Sequence, residues 1–260
     1  MAWSTGVFAA NTAGLLVAEL AAILPANPNW SVYDAAVGAN CQAFECLDAA
    51  ATCLFYVKVD NNFAGYAIIE LWEGWDAVGH AGAGVALKLF GTAASMKMEY
   101  GVGGYGISVR DHCFIWQNYS GSDGVYIGQP RRKDLTKNIV VFCGGGDTPI
   151  NNTLGLPGMT AAIVWASLFD ELGNKRAMTF SGSPGGGASF VVKTILGELE
   201  LRETPLKNDT TKFLVGELEG VASYGSGAEA GIVTGDTCLM PGGNVWSAIM
   251  NTNLTFVEEA

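Results

Sequence analysis

Charge is scarce in this 260-residue chain, and positive charge is the scarcer kind. Lys and Arg total 14 against 25 Asp and Glu, a formal net charge of −11. Non-specific nucleic-acid binding needs a basic footprint to neutralise phosphates, so no nucleic-acid partner is expected. Histidine is rarer still, with only His80 and His112, and none of the six cysteines forms a CxxC pair. A zinc site therefore lacks its usual ligands, and no metal is expected. Long apolar runs are missing as well. The stretch from Ala13 to Leu24 is interrupted by Glu19 and stopped by Pro25, well short of the roughly 20 residues a helix needs to cross a bilayer. No membrane partner is expected. The N-terminus lacks the positive region of a secretory signal, so synthesis and folding in a cytoplasm are expected.

Catalytic signatures are absent too. The elbow of a serine hydrolase needs GxSxG, and the loop around Ser183 breaks that spacing. No HExxH, EF-hand loop or P-loop occurs. The glycines from Gly101 to Gly106 lack the full GxGxxG spacing, and a β pattern follows them, so no helix N-terminus waits for a phosphate. His112 and Cys113 are adjacent, and neighbours on a strand point to opposite faces, which disfavours a Cys–His pair. The chain is read as non-enzymatic, with no cofactor and no small-molecule substrate.

What is present is glycine, at 35 residues, and apolar side chains, at 49% of the chain. That balance argues for a compact β-rich protein with many turns. The expected class is mainly β (α+β), an antiparallel β-sandwich or meander with a short N-terminal amphipathic helix packed on it. Met1 to Gly6 reads as an aromatic and a turn. Leu15, Leu16, Leu20, Ile23 and Leu24 fall at helical spacing, with Asn11 or Thr12 as the cap. Trp30 to Tyr33 is a short strand, and Gln42 to Asp48 is ambiguous. Thr52 to Asp60 and Tyr66 to Trp72 form a hairpin around a turn at Asp60 to Asn62. The glycines at 74, 79, 82 and 84 then read as a loop, and Val85 to Phe90 and Met96 to Tyr100 as weaker strands.

The stretch from Tyr105 to Arg132 reads as two strands. Ile107, Val109, Cys113 and Ile115 lie on the first, Val125 and Ile127 on the second, and Tyr119 to Gly124 makes the turn. Asn138 to Cys143 is a buried strand. Thr160 to Leu172 fits a helix or a strand. The last third is a meander, with Ser189 to Arg202 as one long strand or as two with a bend at Gly197, then Thr211 to Glu219, Ile232 to Leu239, Asn244 to Met250 and Leu254 to Val257. The most plausible division is residues 1–145, the helix plus a β-rich domain, and residues 146–260, a β-rich continuation or second β domain.

Four groups of side chains invite a functional reading. The seven tryptophans suit a β core or an interface, and also stack on sugars. Glu198, Glu200, Glu217 and Glu219 alternate with leucine, as a solvated strand face does, and carboxylates at strand spacing are too close for most glycosidase geometries. Cys41, Cys46 and Cys53 are close enough in sequence for local disulfides, although reduced thiols are the default for cytoplasmic synthesis. Arg131, Arg132 and Lys133 form the densest basic run and have an acidic neighbour or solvent as alternatives.

The opening Met-Ala-Trp-Ser-Thr-Gly, the helix after it, the turn from Trp72 to Asp76 and the hairpin ending in Tyr126-Ile-Gly-Gln-Pro130 together resemble a family of tailed-bacteriophage virion structural proteins. Gly74-Trp-Asp-Ala77 and Val125 to Gly128 match its aromatic-Asp and Tyr-Ile-Gly motifs. The resemblance covers roughly the first half of the chain, and the six cysteines depart from it. It implies a non-enzymatic component of the virion at the neck, collar, tail or baseplate, made in the host bacterial cytoplasm. Its partners would be other phage structural proteins and copies of itself. Trp75, Tyr126, Arg131 and Arg132 are the expected interface residues. A host- or carbohydrate-binding module of a baseplate or fibre is the alternative.

Overall fold

The computed structural model describes residues 2–87, 97–119, 123–129, 131–132, 141–144, 164–169, 175–180, 198–203, 214–224, 235–239, 244–250 and 254–259. The chain is mostly β, with antiparallel sheets and one short helix near the N-terminus. Three sheets carry the described strands.

The first is the central sheet. It runs β1 (Ala2–Phe8), β8 (Gly103–Val109), β9 (Cys113–Asn118), β10 (Asp123–Gly128) and β12 (Val141–Gly144). The second, the flanking sheet, is a meander of β2 (Trp30–Gly38), β3 (Cys41–Leu47), β4 (Cys53–Phe63), β5 (Tyr66–Asp76) and β6 (Ala81–Leu87). The short β7 (Lys97–Glu99) pairs with the start of β5. The third is C-terminal and runs β13 (Val164–Phe169), β14 (Lys175–Phe180), β15 (Glu198–Glu203), β16 (Leu214–Tyr224), β19 (Leu254–Glu258), β18 (Val245–Met250) and β17 (Thr237–Leu239). The two-residue β11 (Arg131–Arg132) joins it beside β16.

One apolar core binds the first two sheets. Ile107, Val109, Phe114, Trp116, Val125 and Ile127 come from the central sheet, and Phe44, Phe55, Val57, Val59, Ile69 and Leu71 from the flanking sheet. Each set alternates along its strands, as a pleat with one buried face requires. Trp30 stands between the layers, edge-on to Phe55 at 5.7 Å and to Phe114 at 5.6 Å. Leu16, Val17, Leu20 and Ile23 of α1 (Leu15–Ile23) pack into the same core. The opposite face of the central sheet is also buried, through Ser108, Cys113, Ile115, Gln117 and Tyr126. There it meets the C-terminal sheet, with Ser108 Oγ donating to the Glu258 carbonyl at 2.9 Å.

Several local expectations are corrected. Residues 2–6 contain no turn. Residues 2–8 form β1, paired with β8 about a hundred residues later, a partner no local pattern reveals. The helix is capped neither by Asn11 nor by Thr12. Gly14 holds the cap position in the left-handed region, φ 87°, and Asn61 Oδ1 accepts from the Leu16 and Val17 N–H groups at 3.0 and 3.4 Å. A side chain from β4 thus satisfies the free amide groups that a local residue usually serves.

Strand β4 runs through Asp60 to Asn62, and the turn comes at residues 64–65. Strands β5 and β6 also run through Gly74, Gly82 and Gly84, where a loop was expected. At Gly82 glycine is required because an aromatic covers it. A Cβ at Gly82 would lie 1.8 Å from the Trp72 ring. Residues 110–112 break the first run of the stretch from 105 to 132 and make Cys113 the start of a new strand. The undecided stretch contains a strand at Val164–Phe169. Residues 189–196 lie outside the described residues.

Candidate functional site

Two buried charges organise the described residues. The first is Arg110, 3% exposed, in the tight turn between β8 and β9. The turn is held from every side. Arg110 N donates to the Cys113 carbonyl at 2.8 Å, and Gln129 N to the His112 carbonyl at 2.8 Å. From the flanking layer, Trp30 Nε1 donates to the Arg110 carbonyl at 2.9 Å, and Asn27 Nδ2 to Asp111 Oδ1 at 3.3 Å. Gly128, at φ 135°, presses against the turn, and a Cβ there would lie 2.3 Å from the His112 carbonyl oxygen.

With its backbone fixed, the guanidinium reaches the C-terminal sheet. Arg110 Nη2 lies 2.5 Å from Glu258 Oε2, and Nη1 lies 3.6 Å from Glu219 Oε1. Gly220, at φ 70°, leaves the room, since a Cβ there would meet the guanidinium at 2.3 Å. A buried cation with two carboxylates is compensated, and arginine's planar fork suits that task.

The second charge is Asp34, 6% exposed, on the end strand β2. Its Oδ2 accepts from Trp75 Nε1 at 2.9 Å and lies 2.8 Å from His80 Nδ1, and its Oδ1 accepts from Ala36 N at 2.9 Å. Trp75 and His80 belong to the tip of the β5–β6 hairpin. The carboxylate therefore clasps that tip onto the far end of the same sheet. The hydrogen bonds from His80 and Trp75 hold its pKa below the ordinary carboxylate value. His80 sits in the left-handed region, φ 51°, an uncommon conformation for a residue other than glycine. Its side chain is 42% exposed. The outer surface beside the clasp is aromatic, with Tyr33 and Tyr56 rings 5.0 Å apart and Tyr56 6.5 Å from Trp75.

The expected site residues are scattered. Trp75 is 8% exposed and is used by the clasp. Tyr126 is fully buried, its hydroxyl donating to the Gln129 carbonyl at 2.8 Å. Both are internal joints, which corrects their expected place at an interface, because their polar atoms find partners inside the chain. Arg131 is exposed, and in register Arg131 lies opposite Glu217 and Arg132 opposite Gly216 on β16.

Cys41, Cys46 and Cys53 are free thiols, which corrects the local disulfide. Cys46 lies in the core and donates to the Asp111 carbonyl, while Cys41 is opposite Asp60 on the other side of β3. Burial pushes the Cys41 thiol up to about 11 and the Cys113 thiol up to about 12, so neither is a ready nucleophile. Among the described residues no group of three or more His, Cys, Asp or Glu could hold a metal ion.

Sequence reasoning missed Asp34, Asn61, Arg110 and Glu258. Asn61 had a signal of sorts, lying in a cluster read as a turn. It is fully buried, and its Nδ2 also reaches the Tyr100 hydroxyl at 2.8 Å. Glu219 was read as part of a solvated face and instead pairs with Arg110. No family model matches this chain, and no curated protein matches it.

Proposed function

We propose that the chain is a non-enzymatic structural component of a tailed-phage particle, placed at the neck, collar or tail. It assembles through contacts with copies of itself and with other particle proteins. One observation carries this. Each motif behind the resemblance serves as a mechanical joint. Trp3, in the opening strand, lies over Gly106, where a Cβ would be 2.6 Å from its ring. Trp75 closes the Asp34 clasp, and Gly128 seats the Arg110 turn. Residues that define a scaffold are expected to act through packing and register, and these do. The protein is made in the host bacterial cytoplasm and resides in the virion.

Mass spectrometry of purified particles tests the proposal. A few to dozens of copies per particle are expected, and absence from the particles would overturn it. The second reading, a host- or carbohydrate-binding module of a baseplate or fibre, is favoured by Tyr33, 41% exposed, beside Tyr56 on the outer flanking sheet. Aromatic rings stack on sugar faces, and quenching of tyrosine or tryptophan fluorescence by oligosaccharides distinguishes this reading.

A further inference from the structure

The ends of the three sheets are not alike. A strand at a sheet end exposes unpaired N–H and C=O groups, and proteins blunt such ends with brevity, bulges, charge or proline. Among the described residues, β12 has four residues and β17 has three. Strand β2 has two register shifts and carries Asp34, and the pairings of β6 and β13 each contain a shift. Strand β1 has none of these devices. Its seven residues pair with β8 without a break, from Ala2 opposite Val109 to Phe8 opposite Gly103. It contains no charge and no proline, and Val7 is 74% exposed. Every second residue of such a strand turns its backbone groups away from β8, its one neighbour among the described residues.

We infer that β1 is the self-association edge of this chain, pairing antiparallel with β1 of a second copy about a two-fold axis through Thr5. The inference rests on the assembly role proposed above and names the surface that serves it. Two features select a second copy as the occupant. The first is shape. With Thr5 opposite Thr5 of the partner subunit, Val7 falls opposite Trp3 of the other copy, twice over. Both residues lie on the same face of β1, since residues 3, 5 and 7 alternate with the core-facing residues 2, 4, 6 and 8. An aromatic beside a β-branched residue is a favourable cross-strand pair, and it covers the most exposed apolar group of the strand.

The second feature is charge. Each copy has a net charge of −11, so two copies approach best along a neutral line, and β1 supplies seven uncharged residues. A carboxylate lies beside the strand, since Glu19 Oε1 accepts from Ser4 Oγ at 3.4 Å. Salt therefore tightens the pair by screening the repulsion. The pairing is isologous, so it closes after two copies and joins two five-stranded sheets into one.

Opposite charges introduced at the axis provide the test. Thr5 is exposed, so Thr5→Lys and Thr5→Glu leave the fold intact by circular dichroism and thermal melting. Analytical ultracentrifugation of the full chain should show a dimer that tightens as salt rises. Each variant alone places like charges opposite each other and should weaken self-association by about tenfold or more. Mixed in equal amounts, the two variants should pair again. A monomeric wild-type chain at high concentration, variants that dimerise like the wild type, or a mixture that stays monomeric while both variants are folded would each overturn the inference. These outcomes are independent of particle mass spectrometry. Copies in the virion without this dimer would sink the edge and keep the assembly role. The dimer without copies in the virion would do the reverse.

Discussion

Arg110 and Asp34 solve the same problem in different ways. Each is a charge almost removed from water, and each survives because its neighbours were built to receive it. Asp34 is held mainly by polar donors within its own sheet, and its most distant partner in sequence, His80, is 46 residues away. Arg110 is held by carboxylates from another sheet, with Glu258 148 residues away. The clasp thus fixes the shape of one layer, and the arginine joins two layers. Losing the clasp should disturb a hairpin, whereas losing the arginine should loosen the C-terminal strands from everything before them.

The largest effect should come from the backbone that presents Arg110. In Gly128→Ala, the new Cβ would lie 2.3 Å from the His112 carbonyl oxygen and 2.5 Å from Cys113 Cα. Both are backbone atoms, which cannot swing aside as a flexible side chain can. The left-handed φ of 135° adds strain. A loss of about 3 kcal/mol is expected from steric conflict and backbone strain together. Chemical denaturation measures it, and a variant as stable as the wild type would refute the packing of Gly128 on this turn.

Next comes the charge itself. Arg110→Ala leaves Glu258 and Glu219 facing each other without their cation. Fully buried pairs lose about 3–5 kcal/mol when one partner goes, and these carboxylates are partly exposed, so about 2–3 kcal/mol is expected. Limited proteolysis sharpens the comparison with Asp34. Cleavage should rise in residues 244–259 for Arg110→Ala and not for Asp34→Asn. Equal protection of that segment in both variants would remove the distinction drawn between the two centres.

The Asp34 clasp should be worth less. Asp34→Asn keeps the shape and weakens the hydrogen bonds to Trp75 and His80, for about 1–2 kcal/mol, as expected for hydrogen bonds to a charged group. Trp75 fluorescence should shift as its indole N–H loses a carboxylate partner. The pH dependence has a definite sign. The folded pKa lies below the ordinary 3.8, so the clasp contributes fully above that value. Its contribution fades as pH falls toward the folded pKa, where the carboxyl takes up a proton. The gap in melting temperature between wild type and Asp34→Asn should therefore be wide at pH 6 and narrow on acidification below about pH 4. A gap independent of pH would mean that the carboxylate charge is not what holds the hairpin tip.

The difference between the two centres also separates what was legible in the sequence from what was not. The β-rich class, the antiparallel hairpins and the amphipathic helix followed from alternation and turn chemistry, which are local. The clasp was half legible. Trp75 stands out in a Gly-Trp-Asp cluster, but it reads as an interface residue because nothing local announces a carboxylate 41 residues earlier. Arg110 was invisible, lying between two apolar runs with partners from the far end of the chain. The glycines misled in a consistent way. Gly82 reads as loop and Gly106 as part of a glycine run, yet they lie in strands beneath Trp72 and beneath Trp3 and Tyr119, where only the absence of a Cβ lets the ring lie flat. A lone sequence shows the glycine and the ring, but not that one covers the other.

Gln117 supplies the smallest effect and the only one of opposite sign. It lies opposite Gly106 on β8 and Gly124 on β10, on the same face of the central sheet as Ser108 and Tyr126. It is fully buried, and among the described residues neither Nε2 nor Oε1 has a hydrogen-bond partner. Its amide is therefore desolvated without the compensation that Arg110 and Asp34 receive. Gln117→Met keeps the length of the side chain and removes both amide atoms, so the variant should be more stable by about 0.5–1 kcal/mol. Destabilisation by a similar amount would mean that the amide is satisfied by a bound water, which a polar site of this kind readily holds. Either sign locates the boundary between the apolar side of the central sheet, where burial alone suffices, and the polar side, where each buried group needs a partner.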